Sequence, residues 1–152
     1  MIKTKHTLTG KHLIGGKYCG AGVRKSRGVN PAAGEALDPG FFEAGEAEVN
    51  RALELADKAF DILQTVPVKK IAALLERIAS RLEEEGEEII ARAHLETALP
   101  LPRLSSELDR TAGQARMFAS LALDGSWAQA RIDHALPARK PLPKPDIRTV
   151  FM

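Results

Sequence analysis

Four amphipathic helical patterns follow one another between residues 46 and 125, and they limit the possible folds more than any other feature. In each pattern apolar residues recur at spacings of three and four, which places them along one face of a helix. The fourth pattern closes near Gly125. The apolar stripes of the three longer patterns are Val49, Leu53, Ala56, Phe60 and Leu63; Val68, Ile71, Leu75, Ile78 and Leu82; and Leu104, Leu108, Ala112, Ala115 and Ala119.

Proline and glycine mark the boundaries between these helices. Pro67 is predicted in the first turn of the second helix, because its missing N–H is not needed there. Gly86, within the acidic run EEEGEE, is expected to close that helix in the left-handed conformation. A shorter third helix is predicted at about Glu87–Ala98, with Leu95 on the core side. Pro100 and Pro102 are expected to end it.

The first 45 residues contain short β-prone pieces instead of helical patterns. Gly15-Gly16 predicts the turn of a hairpin, and a strand is predicted around Arg24–Val29. Turn residues cluster at 30–34 and again at 38–40. Because an isolated hairpin is only marginally stable in water, we expect this region to pack against another part of the fold.

Segment 126–152 differs again from the helical part. Four prolines lie between Pro137 and Pro145, which favours an extended connector, and a β-like run begins at Asp146. The run reaches the last residue, so we expect it to belong to a larger fold. The alternative is that this segment is a proline-rich ligand for an SH3-like groove. The extended connector is the favoured interpretation.

Composition excludes several classes of function. The chain has 152 residues, about the length of one domain, and is 44% hydrophobic. Its net charge of +2 and the lack of a long Lys/Arg block argue against nucleic-acid binding. No apolar run approaches the ~18 residues of a membrane span, and no signal-peptide core is visible. The single Cys19 cannot form an internal disulfide, so a reducing, cytoplasmic location is expected.

Candidate catalytic and cofactor-binding residues are few. Cys19 lies near Lys17 and Arg24, and nearby cations could activate its thiol, although an unreactive loop cysteine is the simpler interpretation. Gly20 and Gly22 begin like a dinucleotide fingerprint, but residue 25 is Lys and no helix starts there. The sequence therefore predicts no cofactor-binding residue in this chain.

Metal sites and acidic sites receive similarly little support. The histidines show no metal-ligand spacing, so no metal site is predicted; they are His6, His12, His94 and His134. The acidic run at 83–88 could attract a cation. A solvated helix end followed by a helix start, where carboxylates are favourable, is the simpler interpretation.

Two arginines on the fourth helix are the strongest candidates for a binding function. Arg110 and Arg116 flank Thr111 and Gln114, and a guanidinium can bind a carboxylate through two parallel hydrogen bonds. An ordinary surface ion pair with Glu107 or Asp109 fits the spacing equally well. The residues alone leave both interpretations open.

Several segments together resemble one enzyme family, the aldehyde dehydrogenases. The segments are GVNPAAGEAL, EVNRALELADKAFD, IAALLERIASRLEEEGEEIIARAHLETALP, ELDRTAGQARMFASLALDGSW and RIDHALPARKPLPKPDIR. The last two are similar to the branch that oxidises 2,5-dioxovalerate (α-ketoglutaric semialdehyde) to 2-oxoglutarate. The resemblance runs from about Leu8 to Arg148.

The resemblance implies an α/β family fold in which this chain is the N-terminal part. It is mostly helical, with a hairpin at 1–45, a helical layer of the cofactor-binding domain at 46–125, and a linker toward oligomerisation and Rossmann-type strands at 126–152. The family transfers hydride to NAD or NADP and uses a catalytic cysteine and a general-base glutamate from later segments. Cys19 and Glu96 match neither position, so no catalytic residue is assigned and the chain alone is expected to be inactive.

The resemblance also singles out individual residues. Arg110, in the RTAGQ motif, becomes the candidate for binding the substrate carboxylate. The region around Arg131 is expected to approach the interface of a homo-oligomer. Ala98 stands where the family usually has glycine; if that position needs a positive φ, alanine costs on the order of 1 kcal/mol there. The alternative to this interpretation as a whole is a free-standing helical protein-binding module without enzymatic activity.

Overall fold

The computed structural model describes residues 8–20, 22 and 24–150. The helices are α1 (Glu46–Thr65), α2 (Val68–Glu84), α3 (Gly86–Thr97) and α4 (Leu101–Asp124). The strands are β1 (His12–Ile14), β2 (Lys17–Cys19), β3 (Lys25–Ser26), β4 (Val29–Asn30), β5 (Glu35–Ala36), β6 (Phe41–Phe42), β7 (Arg131–Asp133) and β8 (Ile147–Thr149). None of the helices in the described ranges is long and apolar enough to cross a membrane.

The predicted N-terminal hairpin is confirmed. β1 and β2 pair in antiparallel register, with His12 opposite Cys19. Gly15 and Gly16 form the two-residue turn with φ of 59° and 74°, the conformation that matches the twist of paired strands. The part of the hairpin region before Leu8 lies outside the described residues.

The single strand predicted at Arg24–Val29 is wrong in its extent. The chain forms two short strands there, because β3 pairs with β6 whereas β4 pairs with β5. The tight turn between β4 and β5 is confirmed: the Gly34 N–H donates to the Asn30 carbonyl at 2.7 Å, and Gly34 has φ 72°.

Helices α2 and α4 pack along a seam of alanines. Among the described residues the buried apolar side chains are Ala72 and Ala79 of α2 with Ala112 and Ala119 of α4. Each pair is seven residues apart, or two helical turns, so the small side chains recur on one face and let the two backbones approach closely. Larger apolar residues lie outside this seam, and helix α1 has no buried residue.

Gly86 has a different role from the one predicted. Helix α2 is closed by Glu85 with φ −100°, and Gly86 is the buried first residue of α3. It does not adopt the left-handed conformation. A β-carbon on Gly86 would lie 2.7 Å from Cδ2 of Leu108, so glycine is suited to this position by the close approach of α3 and α4.

The corner between α3 and α4 agrees only partly with its prediction. Ala98 has φ 55° at the end of α3, so the position does need the positive φ that glycine adopts more easily. Pro100 is the N-cap residue of α4, but Pro102 lies in the first turn of that helix and starts it instead of ending α3. The prediction for Leu95 is wrong, because its side chain is 42% exposed.

Arg92 joins the β units to the helices. Its Nε donates to Glu96 Oε1 at 2.6 Å, and its Nη1 donates to the backbone carbonyl of Asp38. Gly28 lies directly against this pair, since a β-carbon there would be 2.9 Å from Glu96 Oε1. The turn-rich segment 28–38 is thereby held on α3, which fulfils the expectation that the first 45 residues pack against another part of the fold.

The proline-rich segment reverses direction instead of running extended. Leu136 and Lys144 exchange two backbone hydrogen bonds of 2.8 and 3.1 Å, and β7 pairs with β8 in antiparallel register. The Ala135 N–H also donates to Asp146 Oδ1 at 2.6 Å. Residues 131–149 therefore form a hairpin, which follows α4 and a short 3-10 helix (Ser126–Ala128). The role of segment 126–152 as a lead into oligomerisation strands stays a prediction.

Candidate functional site

One face of α4 carries the residues with most potential for binding. At 3.6 residues per turn, this face lies opposite the buried Ala112 and Ala119. All of its members are exposed. We call it the outer face of α4, and it consists of Arg103, Glu107, Arg110, Gln114, Met117 and Leu121.

Arg110 is paired with Glu107 on this face. Its Nε and Nη2 donate to the same carboxylate oxygen, Glu107 Oε2, at 3.0 and 2.7 Å. The two side chains are 62% and 47% exposed, so the guanidinium remains accessible from solvent. The structure thus contains the surface ion pair considered from the spacing, and the binding of a substrate carboxylate by Arg110 stays a prediction.

The charges around Glu107 favour its ionised form. The hydrogen bond from Arg110 lowers the pKa of the Glu107 carboxyl, and the positive charges of Arg110 and, more weakly, Arg103 lower it further. One carboxylate therefore lies between two cations on successive turns of the outer face.

Arg116 points toward α2 instead. Its Nη1 and Nη2 donate to the two carboxylate oxygens of Glu83 at 2.6 and 2.8 Å, and its Nε lies 3.5 Å from Glu76 Oε2. The hydrogen bond from Arg116 lowers the pKa of Glu83. Of the two arginines singled out in the sequence, Arg116 joins helices, whereas Arg110 lies on the outer face.

An apolar groove of about 230 Å³ runs beside Glu107. Helices α2, α3 and α4 form it. Its lining consists of Leu82, Ile89, Ile90, Ala93, Leu104, Glu107, Leu108 and Thr111. The Arg110–Glu107 pair therefore stands at the border between a charged surface and an apolar depression.

The other candidate residues have structural contacts. Glu96 accepts the hydrogen bond from Arg92, and His94 donates from Nδ1 to the Leu99 carbonyl at 2.7 Å, which holds the corner between α3 and α4. In the acidic run, Glu84 and Glu85 both lie against Arg81, at 2.6 and 2.9 Å. These carboxylates are neutralised by arginines of their own helical layer.

Cys19 and the remaining histidines form no catalytic arrangement in the described ranges. Cys19 is half-buried, with its Sγ 3.9 Å from the His12 carbonyl oxygen. No three His, Cys, Asp or Glu side chains in the part of the chain that the structure describes come together as metal ligands. His6 lies outside that part.

The glycines after β2 do not fit a dinucleotide cofactor. A β-carbon on Gly20 would meet the Phe42 ring at 2.9 Å, and one on Gly22 would meet the Glu43 carbonyl oxygen at 2.4 Å. Both glycines therefore accommodate neighbouring protein atoms, and neither leaves room for a phosphate. We assign no cofactor-binding residue among the described residues.

Two ion pairs that hold parts of the fold together were not predicted from the sequence. The spacing of Arg92 and Glu96, four residues apart on one helix, is a recognisable signal for an ion pair. The bond between Arg116 and Glu83 gives no such signal, because it joins residues 33 positions apart on different helices.

Comparison with known proteins identifies the family. Residues 20–142 match the family model of the aldehyde dehydrogenases. The chain is 45% identical over 142 residues to alpha-ketoglutaric semialdehyde dehydrogenase 2 of Azospirillum brasilense, which covers 93% of this chain and 27% of that protein. It is 37% identical over 139 residues to alpha-ketoglutaric semialdehyde dehydrogenase of Acinetobacter baylyi, covering 91% of this chain and 26% of that protein.

A solved structure supports the same assignment. The fold is similar to the crystal structure of a NAD-dependent benzaldehyde dehydrogenase from Corynebacterium glutamicum, with a TM-score of 0.71 and 28% identity. The match covers 83% of this chain and 27% of that one. The chain belongs to the aldehyde dehydrogenase family, and its described part is mostly helical, with four α-helices and small β units. It spans about a quarter of the length of the curated relatives that it matches.

Proposed function

We propose that this chain supplies the N-terminal helical part of an aldehyde dehydrogenase that oxidises 2,5-dioxovalerate to 2-oxoglutarate. The names of the two relatives, at 45% and 37% identity, support this substrate, and the match to the family model supports the reaction class. NAD or NADP accepts the hydride in such a reaction. The catalytic cysteine and glutamate belong to segments outside the 152 residues, so the chain alone is inactive.

The observation that carries the substrate proposal is the outer face of α4. Arg110 offers an exposed guanidinium, and Gln114 lies one turn further along the helix. Met117 and Leu121 continue the same face with apolar side chains that are 54% and 40% exposed. A cation followed by apolar surface suits a ligand with a carboxylate at one end of a short carbon chain.

A chimeric enzyme tests the role of Arg110. Residues 8–150 replace the corresponding segment of the Azospirillum brasilense enzyme, and initial rates are measured with 2,5-dioxovalerate and with uncharged pentanal. A charged hydrogen bond contributes roughly 1.5–3 kcal/mol, so Arg110→Gln is expected to raise the KM for 2,5-dioxovalerate about tenfold or more. The KM for pentanal should stay the same.

Arg51→Gln is the matched control for this chimera. Arg51 also forms an exposed ion pair with a residue three positions later, 3.6 Å from Glu54, but it lies on α1. It should leave both KM values unchanged. If Arg110→Gln leaves the KM for the carboxylated aldehyde as it is, Arg110 does not bind the substrate carboxylate.

We propose further that the complete enzyme is a cytoplasmic homo-oligomer. The β7–β8 hairpin supports the oligomer, because within the described residues its strands pair only with each other and leave edges that can bind a further strand. Analytical ultracentrifugation of the chimera tests it. A monomeric, active chimera would contradict the oligomer.

A free-standing protein-binding module is the second candidate function. It is favoured by the exposed apolar side chains of α1, among them Phe60 at 61% and Leu53 at 63%. A monodisperse monomer with a sharp cooperative melt would support the module. Self-association of the chain would support the dehydrogenase proposal, in which other segments cover these faces.

A further inference from the structure

The guanidinium of Arg110 already holds a carboxylate. Glu107 accepts both donors, Nε and Nη2, on a single oxygen. A carboxylate ligand that binds the Nε and Nη2 edge of the Arg110 guanidinium would need the same two donors that Glu107 occupies. Glu107 and such a ligand therefore exclude each other.

We propose that Glu107 is a specificity-determining residue: it is an internal competitor that a carboxylated ligand must displace from Arg110, and it thereby sets the affinity for that ligand. This inference rests on the proposed function, in which Arg110 binds the substrate carboxylate. Glu107 then determines binding together with Arg110, because an anion that binds Arg110 too weakly cannot displace Glu107.

The geometry of the pair makes the displacement feasible. Both side chains are substantially exposed, and exposed pairs three residues apart contribute little to stability. Arg103 lies one turn before Glu107, and its charge acts on the same carboxylate. When a ligand occupies Arg110, the Glu107 side chain still has a cation within reach on its own helix.

The ion pair of Arg116 shows the opposite design. Glu83 receives two hydrogen bonds on two different oxygens, Glu76 lies against the same guanidinium, and the pair joins α4 to α2. A ligand that displaces Glu83 would have to break an ion pair that joins two helices. The same helix thus carries one displaceable and one fixed arginine, which provides an internal control.

Binding of 2-oxoglutarate to the full 152-residue chain tests the proposal. Nitrogen-15 NMR of the arginine Nε–H groups follows Arg110 and Arg116 separately during the titration. Glu107→Gln removes the pair and one like charge near the ligand, so the dissociation constant at Arg110 should fall about threefold or more. Glu83→Gln should leave the binding at Arg110 unchanged and create no comparable binding at Arg116.

The outcomes separate this inference from the proposed function. Equal affinity of the wild-type chain and Glu107→Gln for 2-oxoglutarate at Arg110 overturns the competitor role and leaves the contact of Arg110 with the anion intact. Equal gains at Arg116 in Glu83→Gln would show that any freed arginine binds the anion, which also overturns it. Absence of a response at Arg110 in every variant contradicts both the inference and the carboxylate-binding role of Arg110.

Discussion

At the scale of single residues, Ala98 shows how the fold tolerates a backbone conformation that is unfavourable for alanine. Its φ of 55° places a β-carbon in the left-handed region, where glycine is favoured. Four hydrogen bonds surround this corner: the Ala98 N–H to His94 O, His94 Nδ1 to Leu99 O, Thr97 Oγ1 to Ala93 O, and the Leu99 N–H to Thr97 Oγ1. They hold the backbone in a conformation that alanine alone disfavours.

Replacing Ala98 by glycine should therefore stabilise the chain. Glycine removes the free-energy cost of holding alanine in the left-handed conformation. This gain exceeds the entropic cost of ordering the more flexible glycine on folding, so the free energy of unfolding is expected to rise by roughly 0.5–1 kcal/mol. Urea unfolding followed by circular dichroism measures it. The same replacement in the exposed interior of α1, Ala59→Gly, should lower the free energy by about 1 kcal/mol. A loss of stability in Ala98→Gly would show that the corner does not strain alanine.

At the scale of the elements, the α2–α4 seam is the main packed contact of the chain. Its buried residues are alanines, so the two helices lie too close to accept larger side chains. The polar edge of the same seam is closed by Arg116, Glu83 and Glu76. Small residues therefore set the distance between these helices, and the ion pairs fix their register.

A larger residue in the seam should push the helices apart. Ala119 is 1% exposed, and Ala119→Val is expected to lower the free energy of unfolding by about 1–3 kcal/mol through overpacking. Ser120→Val introduces the same branched side chain on the exposed side of the next position. Its effect should stay within about 0.5 kcal/mol in the same urea experiment. Equal effects of the two variants would contradict close packing at Ala119.

The seam should also be sensitive to acid. The hydrogen bond from Arg116 lowers the pKa of Glu83 from its ordinary value of 4.5, so above that value the ion pair stabilises the folded chain. This stabilisation is lost as the pH falls through the lowered pKa, because Glu83 then becomes protonated in the folded chain too. The melting temperature measured from pH 7 downward should therefore fall less in Glu83→Gln than in the wild-type chain. Parallel curves would contradict a stabilising pair.

The sequence predicted the helices well and their surroundings poorly. Apolar periodicity shows which face of a helix is apolar, but it does not show what covers that face. Phe60 belongs to a regular stripe and is nevertheless 61% exposed. The strand predicted at Arg24–Val29 divides because its two halves have different partners, and Gly86 serves packing against Leu108, a contact with no local signal.

The candidate site followed a similar pattern. The spacing alone placed Arg110 beside Glu107 and left Asp109 as an alternative partner. Arg110 and Glu107 lie one turn apart on the same helix, so their ion pair could be predicted from the sequence spacing. The fixed position of Arg116 depends on α2 and is a property of the fold, not of the motif.

At the scale of the whole molecule, large apolar side chains remain exposed on several helices, and the buried side chains are small. Phe118 on α4 is 52% exposed, and Ile62 on α1 is 65% exposed. The aligned part makes up 93% of this chain and only 27% of the relative from Azospirillum brasilense. We propose that the additional segments of the complete enzyme cover these apolar faces. In this view the helical layer supports and orients the substrate, and the chemistry takes place elsewhere in the enzyme.

The rate of aldehyde-dependent NAD(P)H formation most directly tests the claim that the catalytic groups lie in other segments of the enzyme. It is measured with 2,5-dioxovalerate for the 152-residue chain alone and for the chimera in which residues 8–150 replace the matching segment of the Azospirillum brasilense enzyme. We expect no turnover by the chain alone and turnover by the chimera. Turnover by the chain alone, or a folded chimera that oxidises pentanal but not 2,5-dioxovalerate, would contradict the proposed function.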